Sequence, residues 1–305
     1  MSIKLRIERA LQEAVASCEV RGAPPRLAAA IRHAVFPGGA RVRPQLCLAV
    51  AAACGDDAPV LADAAAAAIE LLHCASLVHD DLPCFDDAAQ RRGQPSVHAK
   101  FGERIAVLAG DGLIVLAFDV LAAAVANAGA ARAARAAGRL PALLRVLSAR
   151  VGAPFGIVAG QAWECEDWVA LPAYQRAKTG SLFAAATEMG ALAAGGQAPC
   201  WREFGEHLGE AYQVADDIRD VAADAQWLGK PVGRDHKLGR PNAVAEMGMA
   251  AALAHFDDLL QRSAAAVPAG PGAHGLKQLL QAEAERLLPP ALVGRCVAPE
   301  ARTAA

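Results

Sequence analysis

Apolar side chains recur every three or four residues along almost every long stretch of this 305-residue chain, with many alanines and few β-branched runs. A helix returns a side chain to the same face at that spacing and a strand does so every second residue, so the pattern restricts the chain to helices. Alanine is also the residue that costs least inside one. The spacing predicts helices at roughly 3–20, 25–35, 43–54, 58–82, 103–127, 131–149, 152–165, 172–194, 202–222, 241–265 and 273–287. Breaks fall at Pro37 to Gly39, Gly93 to Pro95, Gly195-Gly196, Gly229 to Gly233 and Pro268 to Gly272. Striped helices must hide their apolar faces on one another, which predicts an all-α helical bundle. The length alone favours two domains, but no Pro/Ser-rich linker or composition shift divides the chain, so one domain over residues 1–305 is expected. The run Ala64 to Ala68 is read as a site of close helix approach rather than low complexity.

Composition excludes several classes. With 54% hydrophobic and 20% charged residues the chain can bury a large core. Its most apolar stretch, Ile105 to Ala126, contains Asp111 and Asp119. Each carboxylate near a bilayer centre costs roughly 2.5–3.5 kcal/mol, so no membrane span is expected. The start, Met1 to Arg9, carries charges where a signal peptide needs its apolar region, and a cytoplasmic location is expected. A net charge of −2 argues against a nucleic-acid surface. The eight cysteines show no C-x-x-C spacing and sit mostly among apolar residues. They read as reduced core residues rather than a zinc site or disulfide framework.

Two acidic clusters stand out because each directly follows an apolar helical run. The first is His79-Asp80-Asp81-Leu82-Pro83-Cys84-Phe85-Asp86-Asp87, and the second is Asp216-Asp217-Ile218-Arg219-Asp220. Adjacent aspartates are usually solvated charges, and Asp56-Asp57 and Asp257-Asp258 are read that way. Asp216 and Asp220 lie one helical turn apart, where like charges repel unless a cation joins them. Asp80 and Asp86 cannot meet on a straight helix, since six residues rotate the second by roughly 240°. Pro83 disfavours helix at Leu82, which lets the chain turn back on Asp80 and Asp81. Spacing does not choose between Asp86 and Asp87 as the residue that completes the set.

Cations accompany these clusters: Arg41 and Arg43 behind Gly38-Gly39-Ala40, Arg91-Arg92-Gly93, Lys178-Thr179-Gly180, and Lys230 and Arg234 in the stretch Leu228 to Asp235. Basic side chains beside glycines that expose backbone N–H groups suit phosphate. Carboxylates and cations in one chain are consistent with a diphosphate held by Mg²⁺, which takes one or two carboxylates plus phosphate oxygens.

In this order the segments resemble the all-trans isoprenyl diphosphate synthases, the polyprenyl synthase family, from about Gly38 to Gly248. The motifs are DDxxxxD with RRG behind it, the Lys-Thr pair, DDxxD and LGKPVG. The resemblance implies a helical fold around a central cavity, a homodimer, and elongation of an allylic diphosphate by isopentenyl diphosphate, with three Mg²⁺ per active site. It implies that Asp80, Asp86 and Asp216 hold magnesium, with Asp81, Asp217 and Asp220 as direct or water-mediated ligands. Arg91, Lys178, Thr179, Gln213 and Lys230 match positions at the allylic diphosphate, of which Lys178, Gln213 and Lys230 are read as catalytic, flanking its leaving group. Arg41, His73 and Arg92 match the isopentenyl diphosphate site. Ala40 stands where most relatives carry lysine, which leaves that second site one cation poorer. His79 is read as a structural hydrogen-bonder.

In this family the fifth residue before the first motif acts as a floor for the growing chain. Here it is Ala75, followed by Ser76, and the next bulky residues toward the helix start are Leu72 and Leu71. One turn of helix spans about 5.4 Å, close to one isoprene unit. Geranylgeranyl diphosphate is therefore expected, with farnesyl diphosphate as the alternative. A terpene cyclase would carry Asn/Asp with Ser/Thr and Glu at wider spacing in its second motif, and a non-catalytic subunit would have lost one Asp-rich motif. Both motifs are intact here.

Overall fold

The structure is a computed structural model that describes residues 1–36, 38–168, 170–222 and 242–297. Its described residues are almost wholly helical, as the apolar period requires. In chain order the first helices are α1 (Ile3–Ala16), α2 (Pro25–Val35), α3 (Val42–Ala53) and α4 (Pro59–Asp80). After a two-rung antiparallel ladder pairing Gln90–Arg91 with Gln94–Pro95 come α5 (Val97–Phe101), α6 (Glu103–Ala126) and α7 (Ala130–Val151). The remainder are α8 (Ile157–Ala162), α9 (Leu171–Gln175), α10 (Ser181–Ala193), α11 (Pro199–Ala222), α12 (Ala243–Met247), α13 (Met249–Ala265), α14 (Ala273–Leu287) and α15 (Pro290–Val297).

Most predicted boundaries hold within a few residues, and α2 and α14 agree at both ends. Three differ for local reasons. The expected helix at 152–165 starts only at Ile157 and tightens to a 3₁₀ turn at Trp163–Cys165. Inside 172–194, Arg176–Gly180 winds as a π-turn between α9 and α10. The expected helix at 241–265 is cut at Gly248, whose φ of +81° lies in the region that glycine tolerates best.

The chain divides into two compact units. The first comprises Met1–Val151 with Ala185–Cys200, and the second Gly152–Ala184 with the described part of Trp201–Ala305.

In the first unit α4 packs against α1, α3 and α6. It is apolar on all sides, and Ala64 to Ala68 are buried, so the alanine run is core. Another close approach lies at Gly190, where a Cβ would fall 2.2 Å from the Cys47 carbonyl oxygen. Both α4 and α6 are long and apolar enough to cross a membrane by length and composition. Burial of 67% of the α4 window accounts for its composition as core, whereas only 39% of the α6 window is buried. The outer side of α6 exposes Val107, Leu108 and Val115 as well as Asp111 and Asp119.

In the second unit Ala211, Val214, Ala215 and Ile218 of α11 form a core with Leu171 and Tyr174 of α9 and Phe256 and Leu259 of α13. Leu287 and Leu292 complete it.

The cysteines differ from the expectation. Cys47 and Cys74 are buried, and burial pushes the Cys74 thiol up to about 12, but Cys84, Cys165 and Cys200 are exposed. They follow Pro83, lie in the 3₁₀ turn and occupy the first turn of α11, where a local apolar neighbour does not ensure burial.

Candidate active site

The first Asp-rich motif ends α4. After Pro83 the chain turns back on itself: the Asp86 amide donates to the Asp80 carbonyl (2.9 Å) and the Ala88 amide to the Asp81 carbonyl (3.1 Å). The turn brings Asp86 to the helix end that carries Asp80 and Asp81. Asp87 instead adopts a positive φ, is 73% exposed and lies 3.9 Å from His98. Asp86, not Asp87, is therefore the residue folded back on the pair.

Asp81 points inward. Its carboxylate accepts from Arg91, with Nε at 2.9 Å from Oδ1 and 3.3 Å from Oδ2, and from Arg91 Nη2. Burial raises the Asp81 pKa above its ordinary value, and the Arg91 bond opposes that rise. The two-rung ladder pairs Arg91 with Gln94, Arg92 follows in the turn with a φ of +53°, and Arg92 Nη1 donates to the Gly38 carbonyl. A Cβ at Gly39 would fall 2.8 Å from Arg92 Cζ, so glycine makes room for this guanidinium.

Arg92 and Arg43 converge on His73. Nε2 of His73 is 3.4 Å from Arg92 Nη2 and 3.5 Å from Arg43 Nη1. Guanidinium groups only donate, so the ring nitrogen is the acceptor and the imidazole is neutral. Burial, then the charges of Arg43, Arg92, Arg91 and Arg41, hold the His73 pKa well below 6.5. Two cations around a neutral donor-acceptor ring are suited to an anion.

Arg41 has a different role from the one its motif position suggested. Its side chain is 2% exposed, and Nε donates to Glu8 (3.0 Å), Nη1 to Glu70 (2.7 Å) and Nη2 to the Val35 carbonyl (2.8 Å). Burial opposes its charge, but Glu70 and Glu8 raise its pKa overall. A guanidinium committed inward on all three nitrogens does not face a ligand, so the substrate-binding assignment of Arg41 is corrected. Arg43, two residues on, is the cation that meets His73 and Arg92. The motif spacing puts Arg43 among the basic residues but does not specify which of the two arginines is buried. Ala40 is exposed, and its carbonyl accepts from Gln45 Nε2 (2.6 Å).

His79 packs on Gly110 of α6, where an added Cβ would lie 2.0 Å from Nε2, and is 3.3 Å from the Val107 carbonyl. These contacts are structural, as expected. Ala75 and Leu72 are buried in α4, and Ser76 spends its hydroxyl on the His73 carbonyl (2.8 Å).

The second unit carries the other motif residues. Lys178 and Thr179 lie in the π-turn, a distortion often found at functional positions. Thr179 Oγ1 donates to Gln213 Oε1 (2.7 Å), and Gln213 Nε2 donates to Asp217 Oδ1 (2.9 Å). Asp217 also accepts from Gln175 Nε2 (3.2 Å) and the Ala243 amide (2.8 Å). It is buried, and through these bonds it ties α9, α11 and α12 together. Asp220 is also buried, while Asp216 is 41% exposed and pairs with Arg219 at 2.9 Å. Lys230, with Leu228 to Asp235, lies outside the described residues.

The donor set suits magnesium. Among the described residues no three His, Cys, Asp or Glu side chains converge into a ready-made cage. A cation that binds through one or two carboxylates and completes its shell with phosphate oxygens and water needs none.

Comparison with known proteins adds the family. The model of the polyprenyl synthetase family matches residues 24–267. A geranylgeranyl diphosphate synthase of Cereibacter sphaeroides is 51% identical over 97% of this chain and 100% of its own length. One of Rhodobacter capsulatus is 49% identical over 94% and 97%. Among solved structures, a Helicobacter pylori geranyltransferase complexed with magnesium and isoprenyl diphosphate superposes with a TM-score of 0.75 at 29% identity, covering 92% of this chain and 96% of that one. Motif order, helical fold and a match over most of the length all agree, and the chain belongs to the polyprenyl synthetase family.

Proposed function

We propose that this chain condenses isopentenyl diphosphate head to tail with allylic diphosphates and releases geranylgeranyl diphosphate. The observation that carries the reading is the turn at Pro83, which bonds the Asp86 amide to the Asp80 carbonyl and sets two carboxylates at one helix end beside Arg91. The family consists of magnesium-dependent prenyltransferases, and the reading assigns Asp80, Asp86 and Asp216 as ligands, with three ions per active site. When bound, magnesium neutralises charge on the departing diphosphate. Arg91, Lys178, Thr179 and Gln213 orient the allylic diphosphate, and Lys230 is assigned with them. Arg43, Arg92 and His73 hold the second diphosphate so that the isopentenyl double bond attacks the allylic carbon as its C–O bond breaks. The proton then lost from the adjacent carbon passes to the diphosphate leaving group.

Product length rests on Ala75. A small buried residue at the floor position leaves about one more helical turn, 5.4 Å, before Leu71 and Leu72, which is room for one more isoprene unit. Incubating the purified chain with isopentenyl diphosphate and each allylic starter, then sizing the dephosphorylated alcohols, should give twenty carbons; a stop at fifteen would overturn the product assignment. Ala75→Phe should shift the product to fifteen carbons or fewer, since excluding five carbons forfeits roughly 4 kcal/mol of apolar burial. An active variant with an unaltered product distribution would refute the floor.

We also propose that the chain is a cytoplasmic homodimer. The exposed apolar side chains Val107, Leu108 and Val115 on α6 support a partner copy there. Light scattering should return twice the chain mass of 31.4 kDa, and Val115→Glu should shift it toward the monomer.

A further inference from the structure

The π-turn Arg176–Gly180 is seated on the segment that runs from α8 into the 3₁₀ turn, and its lysine is held there by a residue that no motif singled out. Glu164, in the 3₁₀ turn, is largely buried, with only 10% of its side chain exposed. Its Oε1 accepts from the Lys178 ammonium and from the Tyr174 hydroxyl (2.5 Å), and its Oε2 from Gln161 Nε2 (3.1 Å). The Lys178 ammonium also stands 5.8 Å from the centre of the Tyr174 ring. Below the turn, a Cβ on Gly160 would come within 2.4 Å of the Lys178 backbone, so the glycine allows the two segments to touch.

A lysine side chain has four rotatable bonds, and as a compact point charge it has no preferred direction of approach to an anion. Left to solvent it would sample many rotamers and lose entropy on each binding event. A carboxylate fixed by two further donors removes that freedom before substrate arrives. The same carboxylate cannot leave with the lysine, since Tyr174 and Gln161 keep it in place. Oε1 is shared between the ammonium and the phenol, which sets the direction from which the lysine side chain leaves the turn.

We infer that Glu164 is a positioning residue that presents the Lys178 ammonium to the allylic diphosphate, with Tyr174 and Gln161 holding Glu164 itself in place. The inference rests on the reading of Lys178 as an allylic diphosphate contact.

A double-mutant cycle tests it. Glu164→Gln retains the shape and removes the charge, and should lower kcat/KM for the allylic substrate roughly 10- to 100-fold, the range expected when a catalytic contact is misplaced by about an ångström. The KM for isopentenyl diphosphate should stay within about twofold, because the effect acts only through Lys178. Glu164→Asp should recover part of the loss, since it restores a carboxylate. In a Lys178→Ala background, Glu164→Gln should add less than about twofold, the non-additivity expected of residues that act as one unit. Glu164→Gln activity within about twofold of wild type, or an equal loss with and without Lys178, would overturn the inference and make Glu164 a structural residue. Failure of the underlying reading is separately visible, as wild-type turnover in Lys178→Ala alone.

Discussion

Alanine at Asp86 or Asp216 is expected to lower kcat by roughly a thousandfold or more while the chain stays folded. Neither side chain is part of the core: Asp216 is 41% exposed and Asp86 is only half-buried. Asp86 lies close enough to raise the Asp81 pKa. Neutralising it relieves repulsion in the metal-free protein, so thermal stability should hold or rise. Asp217→Ala should behave differently. It strips the common acceptor from Gln175, Gln213 and the Ala243 amide, which leaves buried donors unsatisfied at a cost of about 1–3 kcal/mol each. Activity would then fall together with stability. Steady-state rates and melting curves of the three variants separate the roles. Wild-type rates in Asp86→Ala or Asp216→Ala, or full activity in excess chelator, would remove the metal assignment.

The second large effect is expected at the buried Arg41–Glu70 pair. Removing one member strands the other charge, so Arg41→Ala or Glu70→Ala should cost about 3–5 kcal/mol of stability. Glu70→Gln keeps an acceptor within reach of Arg41 Nη1 and should cost less. Arg43→Ala provides the contrast: it should leave stability nearly unchanged and raise the KM for isopentenyl diphosphate about tenfold or more, since a charge-assisted hydrogen bond contributes roughly 1.5–3 kcal/mol. Denaturation midpoints and Michaelis constants for the four variants test this. If Arg41→Ala raised that constant with no loss of stability, Arg41 would belong to the anion site after all.

Glu70 illustrates how the sequence both signals and conceals. A single carboxylate within Ala68-Ile69-Glu70-Leu71-Leu72 cannot be exposed on a helix that is apolar all round, so it must have a buried cationic partner. Nothing in the spacing says that the partner is Arg41, 29 residues away. The same limit applies to Glu164. It sits in a segment that reads as one more amphipathic helix, and its tie to Lys178 depends on the turn at Trp163–Cys165 and on the π-turn, neither of which perturbs the apolar period enough to be detected.

The sequence by itself determined the helical class, the extents of α2 and α14, the motif order and the turn at Pro83, because each depends on contacts between residues near in the chain or on the backbone limits of one residue. Only the tertiary structure decided that Asp86 folds back and Asp87 does not, that Arg43 rather than Arg41 meets His73, and that Asp217 is an organising acceptor. The last two depend on which charges are buried. Burial is decided by segments distant in sequence, since a charge withdrawn from water is tolerated only where the fold brings a partner to it.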